Sequence, residues 1–355
     1  MIQPIFHRSR MAAMADRMAQ VGEQRIAGWA HQMEQSIDIA AEMMQLTLEV
    51  ISQTMFSTSM TPYIDRISHA LRVSLKYAFD SFHNPLRFPI WVPTARNREF
   101  RHVTQFMDGL IYGMIAERRR TGATHDDLLD LLLQARDEET GEGLSDQALR
   151  DEALTIFAAG HETTANALAW TWYLLGTHPE AAARFQEEVD RVLQGRTPTA
   201  DDLPHLPYTR AVFDESLRLY PPAPAIQRKA ASHTTVGGVL LPEGALVLVS
   251  THNLHRHPDF WRHPDDFRPE RWINSERPSA RCAYLPFGAG PRACVGIHFA
   301  SIEGPLLLAL IGNRYALHPA QETVEPELMV TLRPKGGIRM NLQPRHVSAV
   351  SAAYH

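Results

Sequence analysis

A cysteine at the end of a glycine-rich segment is the residue best suited to chemistry in this chain. The segment reads Phe287-Gly288-Ala289-Gly290-Pro291-Arg292-Ala293-Cys294-Val295-Gly296, and an apolar helical pattern runs on from Val295 to Leu310. Backbone N–H groups at the start of a helix stabilise an anionic sulfur, and glycines let the backbone approach a flat ligand. Arg292 can pair with a carboxylate. Such a segment suits a thiolate that binds a metal ion.

Two other interpretations of this segment are open from the residues alone. Cys294 could be a buried structural cysteine that follows a turn. The spacing Gly288-x-Gly290-x-x-Ala293 is also a loose match to a dinucleotide-binding fingerprint. That fingerprint needs a clean strand before it and an unobstructed phosphate loop, and Pro286 and Pro291 disfavour both.

Polar residues interrupt a long apolar helix at Ala159-Gly160-His161-Glu162-Thr163-Thr164. We expect Ser145 to be its N-cap and Gly176 to end it. Buried acids and hydroxyls are costly without partners, so the segment indicates either a site or a polar patch at a helix crossing. A glycine at position 160 indicates that a bulky group approaches the helix closely there, or that the helix is kinked. A zinc-protease pattern is excluded because position 165 is alanine.

The two segments resemble the haem-binding and oxygen-activating motifs of cytochromes P450. The first matches Phe-Gly-x-Gly-x-Arg-x-Cys-x-Gly at every fixed position, and the second matches Ala/Gly-Gly-x-Asp/Glu-Thr. The resemblance implies a mainly α (α+β) fold with small β-hairpins and sheets, and a haem b (iron protoporphyrin IX) cofactor. It implies that Cys294 is the ligand to the iron. The other cofactor-binding residues that it implies are Arg292, Arg228, Phe287, Gly288, Gly296, Ala159 and Gly160.

The same resemblance implies roles for two residues of the long helix and for three residues elsewhere. Thr163 would hydrogen-bond the dioxygen substrate, and Glu162 would relay protons from solvent. Glu215 and Arg218 match the Glu-x-x-Arg pattern of the family, and Arg271 matches its Pro-x-Arg segment, so the three would form a structural triad that holds the cysteine loop. Without the resemblance, Glu215 and Arg218 would be interpreted as a solvent-exposed pair.

A group of histidines precedes the cysteine loop. Prolines at 258 and 264 and the loop context favour a solvated connector over a metal site for His252, His255, His257 and His263. Elsewhere, β-rich runs predict two hairpins. The first joins residues 234–241 to 245–250 around Pro242-Glu243-Gly244, and the second joins residues 328–332 to 338–342 around Pro334-Lys335-Gly336-Gly337.

Composition limits the partners and the location. The net charge of −5 over 355 residues argues against nucleic acid as a partner. With two cysteines and no apolar run long enough to span a membrane, we expect a cytoplasmic protein. The 61 residues after Cys294 are too few for a reductase domain, so electrons would come from a separate ferredoxin- or flavodoxin-type partner or a flavoprotein reductase. The expected substrates are O2 and a hydrophobic small molecule bound near Ile156, Ala159, Ala223 to Gln227 and Met329.

The resemblance covers nearly the whole chain. It predicts one P450 domain over residues 1–343, incomplete at its N-terminus because Gln3 to Arg8 resembles an internal segment of the family, followed by a tail at 344–355. The predicted function is haem-thiolate monooxygenation, which inserts one atom of O2 into the substrate. The alternative is an inactive or non-catalytic haem-binding fragment.

Overall fold

The computed structural model describes residues 8–31, 36–83, 88–137, 140–274, 276–280 and 282–345. Its helices are α1 (Arg8–Ala13), α2 (Ala15–Ala27), α3 (Ile39–Met55), α4 (Ile64–His83), α5 (Ala95–Thr121), α6 (Leu128–Gln134), α7 (Asp146–Thr177), α8 (Pro179–Leu193), α9 (Pro207–Leu219), α10 (Thr251–Leu254) and α11 (Ile297–Arg314). Its strands are β1 (Ile37–Asp38), β2 (Ile226–Lys229), β3 (Thr234–Val236), β4 (Val239–Leu241), β5 (Leu246–Val249), β6 (Tyr315–Pro319), β7 (Pro326–Leu328), β8 (Leu332–Pro334) and β9 (Arg339–Pro344). This confirms the predicted mainly α class with small sheets.

Helix α7 runs through the interior, where it packs against α3, α9 and α11. The Ser145 side chain caps it as predicted, because its hydroxyl accepts a hydrogen bond from the N–H of Ala148 at 3.2 Å. The prediction that Gly176 ends the helix was wrong, since α7 continues to Thr177. Gly176 serves packing instead, because a β-carbon there would lie 2.8 Å from both Pro319 and Met340.

Both predicted hairpins pair differently in the structure. Gly237 and Gly238 adopt φ angles of +56° and +82°, and they turn β3 directly into β4. Strand β5 therefore pairs with β2 rather than with the run before it. In the second case β7 pairs with β8, and β9 pairs with β6 and β1. That prediction failed because the strand β6 was not recognised after the last helix.

The C-terminal strand determines where the folded core ends. Strand β9 includes Pro344, which pairs with Tyr315, and the N–H of Arg345 donates to the carbonyl of Arg314 at 2.8 Å. The prediction that the tail begins at residue 344 was therefore wrong for residues 344 and 345. The rest of the predicted tail, 346–355, lies outside the described residues, as do residues 3–7 of the segment that resembles an internal part of the family. Among the described residues, no helix has the length and apolar character needed to cross a bilayer.

Candidate functional site

The cysteine loop closes on itself just before α11. Gly288 and Gly290 adopt φ angles of +70° and +74°, a conformation that favours glycine. The N–H of Cys294 donates to the carbonyl of Phe287 at 2.8 Å, which folds the loop back. Gly296 is the N-cap of α11, so Cys294 lies two residues before the N-cap and three before the first helical residue, Ile297. The loop therefore presents one sulfur atom at a helix N-terminus.

The sulfur of Cys294 lies at the wall of a cavity of about 370 Å3, within the range of small-molecule sites. Burial raises the pKa of the Cys294 thiol, while a hydrogen bond from the N–H of Gly296 lowers it. In this apolar setting the thiolate needs a nearby positive charge, and a bound metal ion supplies one. The second free cysteine, Cys282, is exposed and is not part of this wall.

Helix α7 forms the opposite wall of the cavity with Ile156, Ala159, Gly160 and Thr163. The hydroxyl of Thr163 donates to the carbonyl of Ala159 at 2.8 Å, so it lies against its own helix. Among the predicted pocket residues, Ile156, Ala159 and Ala223 line the cavity, whereas Ala225 and Met329 do not.

Gly160 allows two helices to approach closely. A β-carbon on Gly160 would collide with the side chain of Ile51 on α3. The predicted close approach is therefore to a neighbouring helix, and Gly160 lines the cavity at the same point.

The carboxyl group of Glu162 does not line the cavity. It is buried, and it accepts a hydrogen bond from the hydroxyl of Thr331 in the turn between β7 and β8. Burial raises the pKa of Glu162, and the Thr331 hydroxyl and the charge of Arg333 offset part of that rise. Glu162 and Thr163 are adjacent in sequence, but they face different surroundings.

Two cationic side chains line the cavity beside the cysteine loop. Arg292 makes no hydrogen bond or ion pair with the described residues, and Arg228 donates only to the backbone carbonyl of Gln227 at 2.9 Å. Two guanidinium groups without carboxylate partners suit a ligand that carries two carboxylates. With one sulfur ligand, apolar walls and glycine at the close approaches, the residues of this cavity fit a haem group.

Glu215, Arg218 and Arg271 form a buried ion-pair cluster beneath the loop. Arg218 donates to both oxygens of Glu215 at 2.9 Å, and Arg271 donates to Glu215 at 2.9 Å. The indole N–H of Trp272 adds a further donor at 2.8 Å. All four side chains are buried, so the exposed-pair interpretation does not describe Glu215 and Arg218.

His255 connects this cluster to the cysteine loop, and the sequence analysis missed it. Its Nδ1 lies 3.2 Å from the carbonyl of Arg218, and its Nε2 accepts from the N–H of Leu285 at 2.8 Å. Burial lowers the pKa of His255 to about 4, so the ring is neutral. The solvated-connector interpretation was wrong for His255, which is fully buried, although His257 and His263 are exposed. No pattern in the sequence distinguishes the three.

Comparisons with known proteins agree with this geometry. The family model described as Cytochrome P450 matches residues 1–341. The chain is 40% identical to cyclooctat-9-en-7-ol 5-monooxygenase of Streptomyces melanosporofaciens over 347 residues, covering 97% of this chain and 75% of that protein. It is 36% identical to pentalenene oxygenase of Streptomyces avermitilis, covering 82% of this chain and 64% of that protein.

Among solved structures, the chain is similar to the crystal structure of the cytochrome P450DA heme domain. The TM-score is 0.88 at 32% sequence identity, and the match covers 98% of this chain and 77% of that one. The similarity therefore extends over the whole arrangement of elements around the cavity.

Proposed function

The chain belongs to the cytochrome P450 family, and from this premise we propose that it oxygenates a cyclic terpenoid in the cavity between Cys294 and α7. It is a haem-dependent monooxygenase, which inserts one atom of O2 into a hydrophobic substrate and reduces the other to water with two electrons and two protons. The electrons come from a redox partner.

The apolar wall of the cavity is the observation that supports the substrate class. Ile51 and Met55 from α3 and Ile156 from α7 contribute hydrocarbon surface to it. Such a wall favours a compact hydrocarbon with few polar groups. Two relatives are named for compounds of this kind, cyclooctat-9-en-7-ol and pentalenene.

We infer that Cys294 binds the iron of haem b and that Arg228 and Arg292 pair with its propionates. Phe287, Gly288 and Gly296 would hold the cysteine side of the ring, and Ala159 and Gly160 would lie against its other face. When bound, the haem supplies the iron that activates dioxygen. Glu215, Arg218 and Arg271 keep the loop in place through buried ion pairs.

The protons come through the chain's own residues. The hydroxyl of Thr163 lies at the cavity wall, where it can turn from the carbonyl of Ala159 to donate to the oxygen substrate. Glu162 supplies the proton to Thr163. A carboxyl group whose pKa is raised by burial holds a proton closer to neutral pH than an exposed one does.

The redox partner is a separate protein in this proposal, either a ferredoxin- or flavodoxin-type carrier or a flavoprotein reductase. The chain is also 34% identical to bifunctional cytochrome P450/NADPH–P450 reductase 1 of Bacillus subtilis, but it covers only 34% of that protein. We propose a single domain that extends to residue 345, two residues beyond the predicted end at 343, because Pro344 pairs in β9 and Arg345 bonds Arg314. The cytoplasmic location stays a prediction from the cysteine content.

Haem ligation is tested by expressing the chain with a haem precursor, reducing it and recording the carbon monoxide difference spectrum. A strongly red-shifted Soret band is expected in the parent chain and in Cys282→Ala, and its loss is expected in Cys294→Ala. A red-shifted band that survives in Cys294→Ala would overturn the assignment of the ligand.

The substrate is tested by turnover with a redox partner, comparing a cyclic terpene hydrocarbon with a linear fatty acid. Preferential oxygenation of the cyclic compound is expected because the cavity is apolar and has a volume of about 370 Å3. A preference for the fatty acid would refute the substrate class. A haem-containing chain without turnover would favour the non-catalytic alternative.

A further inference from the structure

The turn between β7 and β8 is bound to one face of α7. Glu162, Asn166 and Trp170 are spaced by four residues, so they lie above one another on that face. Asn166 donates to the hydroxyl of Thr331 at 3.3 Å, and the indole N–H of Trp170 donates to the carbonyl of Leu332 at 3.3 Å. Three consecutive turns of the central helix therefore hold two adjacent residues of the hairpin.

The Thr331 hydroxyl has a fixed orientation in this network. It accepts from Asn166 and donates to Glu162, so its single hydrogen points at the carboxyl group. Thr331 is 7% exposed and Glu162 is 6% exposed, so water has little access to compete for this bond. A donor that points at a carboxylate stabilises its charged form.

The same hairpin is attached to the wall of the cavity. The N–H of Leu332 donates to the carbonyl of Pro222 at 3.0 Å, and Pro222 lines the cavity. The residue that holds Glu162 and the residue that contacts the wall are thus neighbours in the chain. The cavity wall at Pro222 and Thr331 are therefore linked by one hydrogen bond and one peptide unit.

Four other titratable or charged groups lie on the elements around Glu162. Arg333 on β8 favours the charged form of Glu162, and it is paired with Glu327 on β7 at 2.8 Å. On α7 itself, His161 is buried with its ring against the carbonyl of Phe157. On α11, Glu303 lies beside Thr164. Among these groups and Thr331, only the Thr331 hydroxyl bonds the carboxyl group directly.

We propose that Thr331 is a positioning residue for Glu162, and that its hydroxyl orients the carboxyl group from which the proton passes to Thr163. The proposal deepens the proposed function and rests on it. It assigns a role in the reaction to a residue 169 positions away in the sequence.

The first test measures the protonation of Glu162 without turnover. Infrared spectra of the haem-reconstituted chain are recorded from pH 4 to pH 9, and Glu162→Gln identifies the carbonyl stretch of the protonated carboxyl group. Thr331→Val removes the hydroxyl at nearly constant volume and should raise the titration midpoint by about one pH unit, a tenfold change in the proton dissociation constant. Thr331→Ser keeps the hydroxyl and should keep the midpoint.

An unchanged midpoint in Thr331→Val would overturn the proposal, as would an equal shift in Thr331→Ser. If Thr331→Val does not fold, Thr331→Ala removes the same hydroxyl from the turn and is judged by the same criterion. The spectra do not depend on substrate, so a failure of the terpenoid assignment leaves this result intact.

The second test measures the pH dependence of product formed per electron pair. If Thr331 positions the relay acid, the pH profile in Thr331→Val moves in the same direction as the infrared midpoint, and Thr331→Ser restores the parent profile. A shifted midpoint with an unshifted profile would show that Thr331 bonds Glu162 without a role in proton delivery, which would refute the proposal.

Discussion

The buried carboxyl group of Glu303 on α11 leads to a prediction about stability. Glu303 is completely buried, and neither of its oxygens has a hydrogen-bond partner among the described residues. Burial raises its pKa from 4.5 to about 8, and the nearby Thr164 hydroxyl offsets only part of this rise. We predict that Glu303→Gln makes the chain progressively more stable than the parent as the pH rises.

The sign follows from proton binding in the two states. In the unfolded chain Glu303 ionises near pH 4.5, whereas in the folded chain it stays protonated up to about pH 8. Unfolding therefore releases a proton throughout this window, and the parent loses stability as the pH rises through it. The slope is about 1.4 kcal/mol per pH unit, or about 5 kcal/mol over the whole window. A glutamine at this position does not ionise, so its chain lacks this loss.

The assay is urea unfolding followed by circular dichroism at pH 5, pH 6.5 and pH 8. The buried amide of the glutamine changes the unfolding free energy by an amount that does not depend on pH. The test is therefore the slope, against pH, of the difference in unfolding free energy between Glu303→Gln and the parent. His161 and His255, whose pKa values burial lowers to about 4, weaken both chains equally on the acid side and cancel in the difference. The control is Glu117→Gln at an exposed site, for which the difference should be flat. A flat difference for Glu303→Gln would refute the reasoning.

Two further substitutions test the buried ion pairs beneath the cysteine loop and the packing of α7 against α3. Arg271→Met should cost about 3–5 kcal/mol of unfolding free energy, because it leaves the buried charge of Glu215 with one partner fewer. The loss is measured by urea unfolding, with Arg120→Met at an exposed site as the control. A loss no larger than that of the control would contradict this prediction. Gly160→Ala should cost about 1–3 kcal/mol because its methyl group meets Ile51. Adding Ile51→Val should recover part of the loss in a double-mutant cycle, and strict additivity would contradict the proposed contact.

The conformation of the cysteine loop was predictable because its requirements are local. Gly288 and Gly290 need positive φ angles, and Cys294 must precede a helix, so one short segment carries the whole arrangement. The same holds for the Ser145 cap, which depends on a backbone N–H three residues away. Requirements that are satisfied within a few residues leave a pattern in the sequence.

Requirements that are satisfied between distant backbone groups leave no such pattern. His255 bonds the carbonyl of Arg218 and the N–H of Leu285, and every residue type except proline offers that carbonyl and N–H pair. The partner of β5 was missed for a similar reason. Gly237 and Gly238 form a turn through which β4 pairs with β3, and β5 pairs with β2 instead.

The position of Glu162 shows how helix geometry limits what a motif can specify. Successive residues on an α-helix point about 100° apart, and Glu162 is displaced by this angle from Thr163, which lies near the middle of the face that lines the cavity. Thr163 shares the cavity face with Ala159 and Ile156, and this directs Glu162 to the face that meets the β7–β8 turn. The motif therefore places Glu162 beside the cavity face and leaves the hydrogen-bond partner of its carboxyl group undefined. In this chain the partner is Thr331, and in the proposed mechanism the proton from Glu162 has to travel around the helix to reach Thr163.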